Sequence, residues 1–139
     1  MNDIVVGVDS SETALRAARR AAELANALGV NLHLVTCTER KGALNVNVGS
    51  DTFHVDPLAS AEQLLNEVRV KLGGVGEHSQ AVGLDDPGKF LCEEAERLGA
   101  SMIVVGNRRV QGVARLLGSV ANDVLRHAPC DVHIAHTIE

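Results

Sequence analysis

Residues 4–37 read IVVGVDSSETALRAARRAAELANALGVNLHLVTC, and the hydrophobic period changes twice along them. Ile4-Val5-Val6-Gly7-Val8 is apolar without alternation, the pattern of a strand covered on both faces. Ser10 or Ser11 then offers an oxygen to cap a helix whose inner face is Ala14, Ala18, Ala21, Ala25 and Leu28. Gly29 closes that helix, and Leu32 to Cys37 is a second buried strand. A strand, a helix and a second buried strand predict a right-handed crossover within a parallel sheet.

The pattern continues outward from this unit. From Pro57 a helix carries Ala61, Leu65, Val68 and Leu72 on one face and stops at Gly73-Gly74. Residues 77–82 form a strand polar enough to lie at an edge. Asp86-Pro87 starts the next helix, with Leu91, Ala95 and Leu98 inward. Met102 to Val105 is the fourth strand. Gly118-Ser119 opens the last helix, with Val120, Val124 and Ala128 inward, and Val132 to Ala135 is the fifth strand. Residues 39–56, with Gly42, Gly49 and four Asn/Asp, read as a structureless loop, long enough to suggest a lid. Strands alternating with helices, most of the strands apolar throughout, predict an α/β fold: a doubly wound, five-stranded parallel sheet with helices on both faces.

The 139 residues are expected to form one domain, 1–139, large enough to bury a core without disulfides or metal. A net charge of −5 opposes nonspecific attachment to nucleic acid or anionic membrane. With two Phe and no Tyr or Trp, stacking platforms for single-stranded nucleic acid are excluded. No apolar run is long enough to span a bilayer, and Met1-Asn2-Asp3 leads straight into a strand without the charged start of a leader. Cys37, Cys92 and Cys130 are odd in number and widely spaced, as expected of buried thiols in a reducing cytoplasm.

In open α/β sheets ligands bind beyond the carboxyl ends of the strands, where the strand order reverses. Three stretches end strands in this way: Asp9-Ser10-Ser11, Cys37-Thr38-Glu39, and Gly106 to Ser119. The last is the most informative. Its glycines let backbone N–H groups approach an anion, and a helix beginning at Gly118-Ser119 adds unpaired donors and the positive end of a dipole. Residues 106–127 hold four Arg against one Asp, a basic island in an acidic chain. The same residues would also serve as a solvated turn, and Asp9 would also serve as a helix cap.

The first strand running into Val-Asp-Ser-Ser-Glu, the βα alternation, and Val104-Val105-Gly106 followed by Leu-Leu-Gly118-Ser119-Val120 together resemble the universal stress protein family over nearly the whole chain. The resemblance implies a Rossmann-like sheet of strand order 3-2-1-4-5, a homodimer through the C-terminal strand, and a stress-response regulatory role with ATP or another adenine nucleotide as ligand. Mg beside the phosphates is an open option. Asp9 would face the ribose, the backbone near Cys37 the adenine, and Gly106, Gly118, Ser119 and Val120 the phosphates. Val8, Ser10, Val105, Arg108 and Arg109 complete the implied binding set. The family's signature of Gly, two residues, Gly, nine residues and Gly-Ser is altered here. Arg109 takes the second glycine's place, eight residues before Gly118. That arginine either blocks the α-phosphate or adds a cation to it, so a dimeric interaction module without nucleotide is the alternative function.

The chain lacks a P-loop, a GxGxxG after its first strand and a nucleophile elbow. His133 and His136, three apart on a strand, point to opposite faces, which gives no metal site. Glu93, Glu94 and Glu96 read as the solvated face of a helix. No acid and base paired with a nucleophile can be named, so catalysis is not expected, although slow ATP hydrolysis stays open.

Overall fold

A computed structural model describes residues 2–38, 44–48, 51–73, 78–107 and 118–136. Their elements, in chain order, are β1 (Ile4–Gly7), α1 (Glu12–Leu28), β2 (Leu32–Thr38), β3 (Leu44–Val48), β4 (Asp51–Val55), α2 (Pro57–Lys71), β5 (His78–Leu84), α3 (Pro87–Leu98), β6 (Met102–Gly106), α4 (Ser119–His127) and β7 (Asp131–Ala135). Five strands form a parallel sheet in the order β5-β2-β1-β6-β7. Counted among those five in sequence, this is 3-2-1-4-5. The polar third strand, β5, does lie at an edge.

Each contiguous apolar run divides its side chains between two cores. Ile4, Val6 and Val8 of the first run, Leu32 and Leu34 of β2, and Val104 of β6 face α1 and α2. Val5, Val35, Ile103 and Val105 face α3 and α4. A strand buried on both sides cannot alternate in polarity, which is why Ile4 to Val8 and Met102 to Val105 are apolar throughout. Under α1 the contact is made by Ala14, Ala17, Ala18, Ala21, Ala22 and Ala25, whose small side chains bring the helix backbone close to the sheet.

Local signals fix the helix ends. Ser11, not Ser10, caps α1: its Oγ accepts from the Ala14 N–H at 3.1 Å. Gly29 closes the helix at φ 68°, a left-handed conformation that costs an L side chain about 1–2 kcal/mol. Asp86 accepts from the Lys89 N–H at 3.2 Å with Pro87 in the first turn of α3, as the sequence predicts.

Several expectations are corrected. The stretch 39–56 is not structureless: β3 and β4 pair antiparallel, from Leu44↔Val55 to Val48↔Asp51, as a hairpin inserted before α2. Leu28 is exposed rather than inward. Within the same last turn Ala25 is the buried residue, so Leu28 lies off the inner face of α1. Glu94 is buried beneath Arg97, which donates from Nε to Oε1 at 3.0 Å and from Nη2 to Oε2 at 2.7 Å. In α4, Ala121 and Val124 are the buried residues, and Val120 and Ala128 are only half-buried.

Gly88 marks the tightest point between α3 and α4. A methyl group there would come within 2.6 Å of Asp123 Cβ, an atom fixed to the α4 backbone. Helix propensity favours alanine over glycine by about 1 kcal/mol, but overpacking costs about 1–3 kcal/mol and here meets a rigid neighbour. Gly88→Ala is therefore expected to lower the thermal midpoint by roughly 2–6 °C, read by circular dichroism. A raised midpoint would mean that the two helices part without cost.

Candidate functional site

The order reversal falls between β1 and β6. The chain leaves β1 for α1 on one face of the sheet and leaves β6 for α4 on the other. A crevice must open between the departing segments at the carboxyl edge.

The register specifies what lines that edge. Gly7 pairs with Val35 and Val6 with Val104. Cys37 lies two residues beyond Val35 on β2, Asp9 two beyond the end of β1, and Asn107 directly follows β6, so all three come from the carboxyl ends of adjacent strands. Cys37 also pairs with Gly83 of β5. The lip is pinned from below: the Val8 N–H donates to the Val35 carbonyl at 2.8 Å, and the Asn107 N–H to the Ala135 carbonyl at 3.1 Å. Val8 and Val105 are buried in the two cores, whereas Asp9 and Ser10 are exposed. Asp9 Oδ1 accepts from the Ser11 N–H at 2.8 Å, which tightens the turn into α1.

On the β6 side, Gly106 pairs with Ala135 in the ladder, and α4 begins at Gly118. The first helical bond there runs from the Asn122 N–H to the Gly118 carbonyl at 3.0 Å. Glycine brings no side chain to cap the N–H groups of Ser119, Val120 and Ala121, so they form an anion-seeking helix start. Ser119 is exposed beside them. Arg108 and Arg109 lie outside the described residues, as does Gly112.

The opposite wall is acidic, a feature that the sequence reading took only as a helix start. Asp85 holds φ 66° and donates its N–H to the Thr38 carbonyl at 2.8 Å, which folds the end of β5 over the end of β2. Burial, then the nearby Asp86 and Asp85 carboxylates, push the Cys37 thiol up to about 11. Cys37 is half-buried rather than fully buried, and so is Cys130, while Cys92 is buried. The signal was available, because two adjacent aspartates at a strand's carboxyl end flank the same edge as Asp9. The lip thus runs from carboxylates around Cys37 to N–H donors at α4 that, among the described residues, no side chain caps.

A thiol with its pKa near 11 holds about a hundredfold less thiolate at neutral pH than one at 9, and the thiolate is the nucleophile. Iodoacetamide is expected to alkylate Cys37 at least tenfold more slowly than a short unstructured cysteine peptide at pH 8, with the rate still climbing at pH 10. Peptide mapping by mass spectrometry reads this, and a rate equal to the peptide's would place the carboxylates further away.

Among the described residues no cluster of three His, Cys, Asp or Glu could hold a metal ion, and no helix is long and apolar enough to cross a membrane.

Residues 1–136 match the Universal stress protein family. A universal stress protein of Mycobacterium tuberculosis is 31% identical over 144 residues, which covers 96% of this chain and 95% of that protein. Among solved structures, a universal stress protein in complex with cAMP aligns with a TM-score of 0.75 at 30% identity, over 99% of this chain and 98% of its own. The universal stress protein from Archaeoglobus fulgidus in complex with dAMP aligns with a TM-score of 0.68 at 28% identity, over 95% of each chain.

Proposed function

The chain belongs to the universal stress protein family, and from that premise we propose that it binds ATP or another adenine nucleotide as a regulatory ligand at the carboxyl edge of the sheet. The observation that carries this reading is the polarity of the lip. N–H donors at the start of α4 attract phosphate, and carboxylates beside Cys37 repel it. A nucleotide is thereby oriented, phosphates toward Gly118-Ser119-Val120, base toward Cys37, and ribose over Asp9 between them. Arg108, Arg109 and Mg would act on the phosphate side. Structural relatives in complex with cAMP and dAMP support an adenine ligand.

The role proposed is regulatory, and the thiol at the lip, held protonated, is not proposed as a nucleophile. We place it in the cytoplasm as a single domain, 1–139, dimerising through β7, which among the described residues is an edge strand. The altered spacing around Arg109 favours the second reading, a dimeric module without nucleotide.

The absence of Tyr and Trp makes the test direct. Protein purified without added nucleotide is expected to show a strong band near ~260 nm, released on denaturation and identified by ion exchange, since only nucleotide absorbs there strongly. Stripped protein should gain about 2.7 kcal/mol at a hundred times the dissociation constant of ATP. No band and no thermal shift with any adenine nucleotide would leave the dimeric module as the better reading.

A further inference from the structure

At the amino edge of the sheet, opposite the lip, three residues from separate strands meet. Asp3 directly precedes β1, His33 is the second residue of β2, and Ser79 is the second residue of β5. His33 pairs with Ser79 and with Val5 in the parallel register, so the His33 and Ser79 side chains leave the same face on neighbouring strands. His33 Nε2 meets Asp3 Oδ2 at 2.8 Å, and His33 Nδ1 is hydrogen-bonded to Ser79 Oγ.

The proton positions follow from the chemistry. The hydrogen bond from His33 holds the Asp3 carboxyl below its ordinary range, so at neutral pH it is ionised and only accepts. Nε2 therefore carries the ring proton and donates it to Asp3. In the neutral ring with that tautomer, Nδ1 keeps its lone pair and accepts from the serine hydroxyl. Asp3 is itself fixed: its Oδ1 accepts from the Asn31 N–H at 3.2 Å, and its carbonyl accepts from the Ser101 N–H at 2.9 Å. The imidazole is nearly covered, at 11% exposure, while Ser79 is exposed to solvent. A hydroxyl open to reagents, a base at hydrogen-bond distance and a carboxylate that sets the base's tautomer are the parts of an activated serine.

We infer that Ser79 is an acceptor of acyl groups from activated esters, with His33 as its base and Asp3 as the residue that positions the base. Ser79 Oγ forms a bond to the ester carbonyl carbon while its proton passes to His33 Nδ1. The bond from that carbon to the leaving oxygen then breaks, and the proton leaves with the departing alcohol. The products are acyl-Ser79 and a free alcohol, with no oxidant, reductant or metal required.

The test uses p-nitrophenyl acetate on the full chain, with acetylated serines located and timed by peptide mass spectrometry. Ser79 is expected to be acetylated at least tenfold faster than Ser60, an exposed serine on α2. His33→Gln should remove that advantage. Asp3→Asn should reduce it at least tenfold, and Asp3→Glu should restore part of it, because a carboxylate at this place fixes the tautomer and orientation of the ring. A purely structural hydrogen-bond chain would leave Ser79 no faster than Ser60 in the unaltered protein. That result overturns the inference without relying on any variant to fold, as would a His33→Gln protein that reacts at the original rate.

Discussion

Replacing Leu34 by alanine is expected to lower the unfolding free energy by about 3 kcal/mol and the thermal midpoint by roughly 10 °C. Leu34 is fully buried at the middle of β2, level with Val6 on one side and Gln80 on the other. Its side chain joins the core beneath α1 and α2 with Leu32, Leu65 and Val68. The cost of such a truncation depends on how well the site can collapse. Here the α1 wall of this core is alanine at six positions, and its two leucines, Leu15 and Leu24, are only partly buried against it. The loss should therefore sit above the low end of the usual range of about 2–5 kcal/mol. Because domains are stable by only about 5–15 kcal/mol, urea unfolding will resolve it easily. Leu28→Ala is the matched control: Leu28 is exposed, and its loss should change stability by no more than about 0.5 kcal/mol. A Leu34→Ala loss below about 1 kcal/mol would mean that α1 slides inward and that its alanines do not fix the core depth.

The same local chemistry explains how far the sequence could be read. Apolar runs such as Ile4 to Val8 and Met102 to Val105 announce strands covered on both faces, and caps at Ser11, Gly29 and Asp86 mark helix ends through contacts within four residues. Such signals are short-range and survive in one dimension. The β3–β4 hairpin carried a usable signal as well, since Leu44, Val46 and Val48 alternate with asparagines before a two-residue connection. It was masked because glycine and asparagine also spell loop. Glu94 could not be told from Glu93 and Glu96 by composition; only its pairing with Arg97 on the turn that packs inward separates them.

The clusters at the two edges of the sheet were legible to different degrees. Asp9, Gly106 and Gly118 follow strands, so a topological rule places them together once the strand order is known. The Asp85-Asp86 wall obeys the same rule and was overlooked because its helix-start role already accounted for it. Asp3, His33 and Ser79 are another matter. They are separated by 30 and 46 residues, and each alone is an ordinary polar residue at a strand start. Nothing but the register of three parallel strands brings them into line, and register is a long-range quantity that no local pattern encodes.

Gly118→Asp is expected to separate stability from ligand affinity by moving them in opposite directions. Gly118 is the N-cap of α4 with φ −66° and ψ 166°, a conformation open to any L residue, so the substitution introduces no backbone strain. An aspartate there can accept from the uncapped N–H groups of the first turn and place a negative charge at the positive end of the helix. Together these should stabilise the nucleotide-free protein by a few tenths to about 1 kcal/mol, a rise of roughly 1–4 °C in thermal midpoint. The same carboxylate would occupy the donors proposed for the phosphates and stand beside their charge. Two like charges about 5 Å apart in a partly screened crevice repel by up to about 3 kcal/mol, so nucleotide affinity should fall between tenfold and a hundredfold. Gly118→Asn supplies the cap without the charge, and the difference between the two variants isolates the electrostatic part. Thermal shift with and without ATP, followed by calorimetric titration, reads both quantities on the same samples. A variant that is more stable yet binds nucleotide as before would remove the phosphates from the α4 terminus, because a helix start cannot satisfy a carboxylate and a phosphate with the same N–H groups.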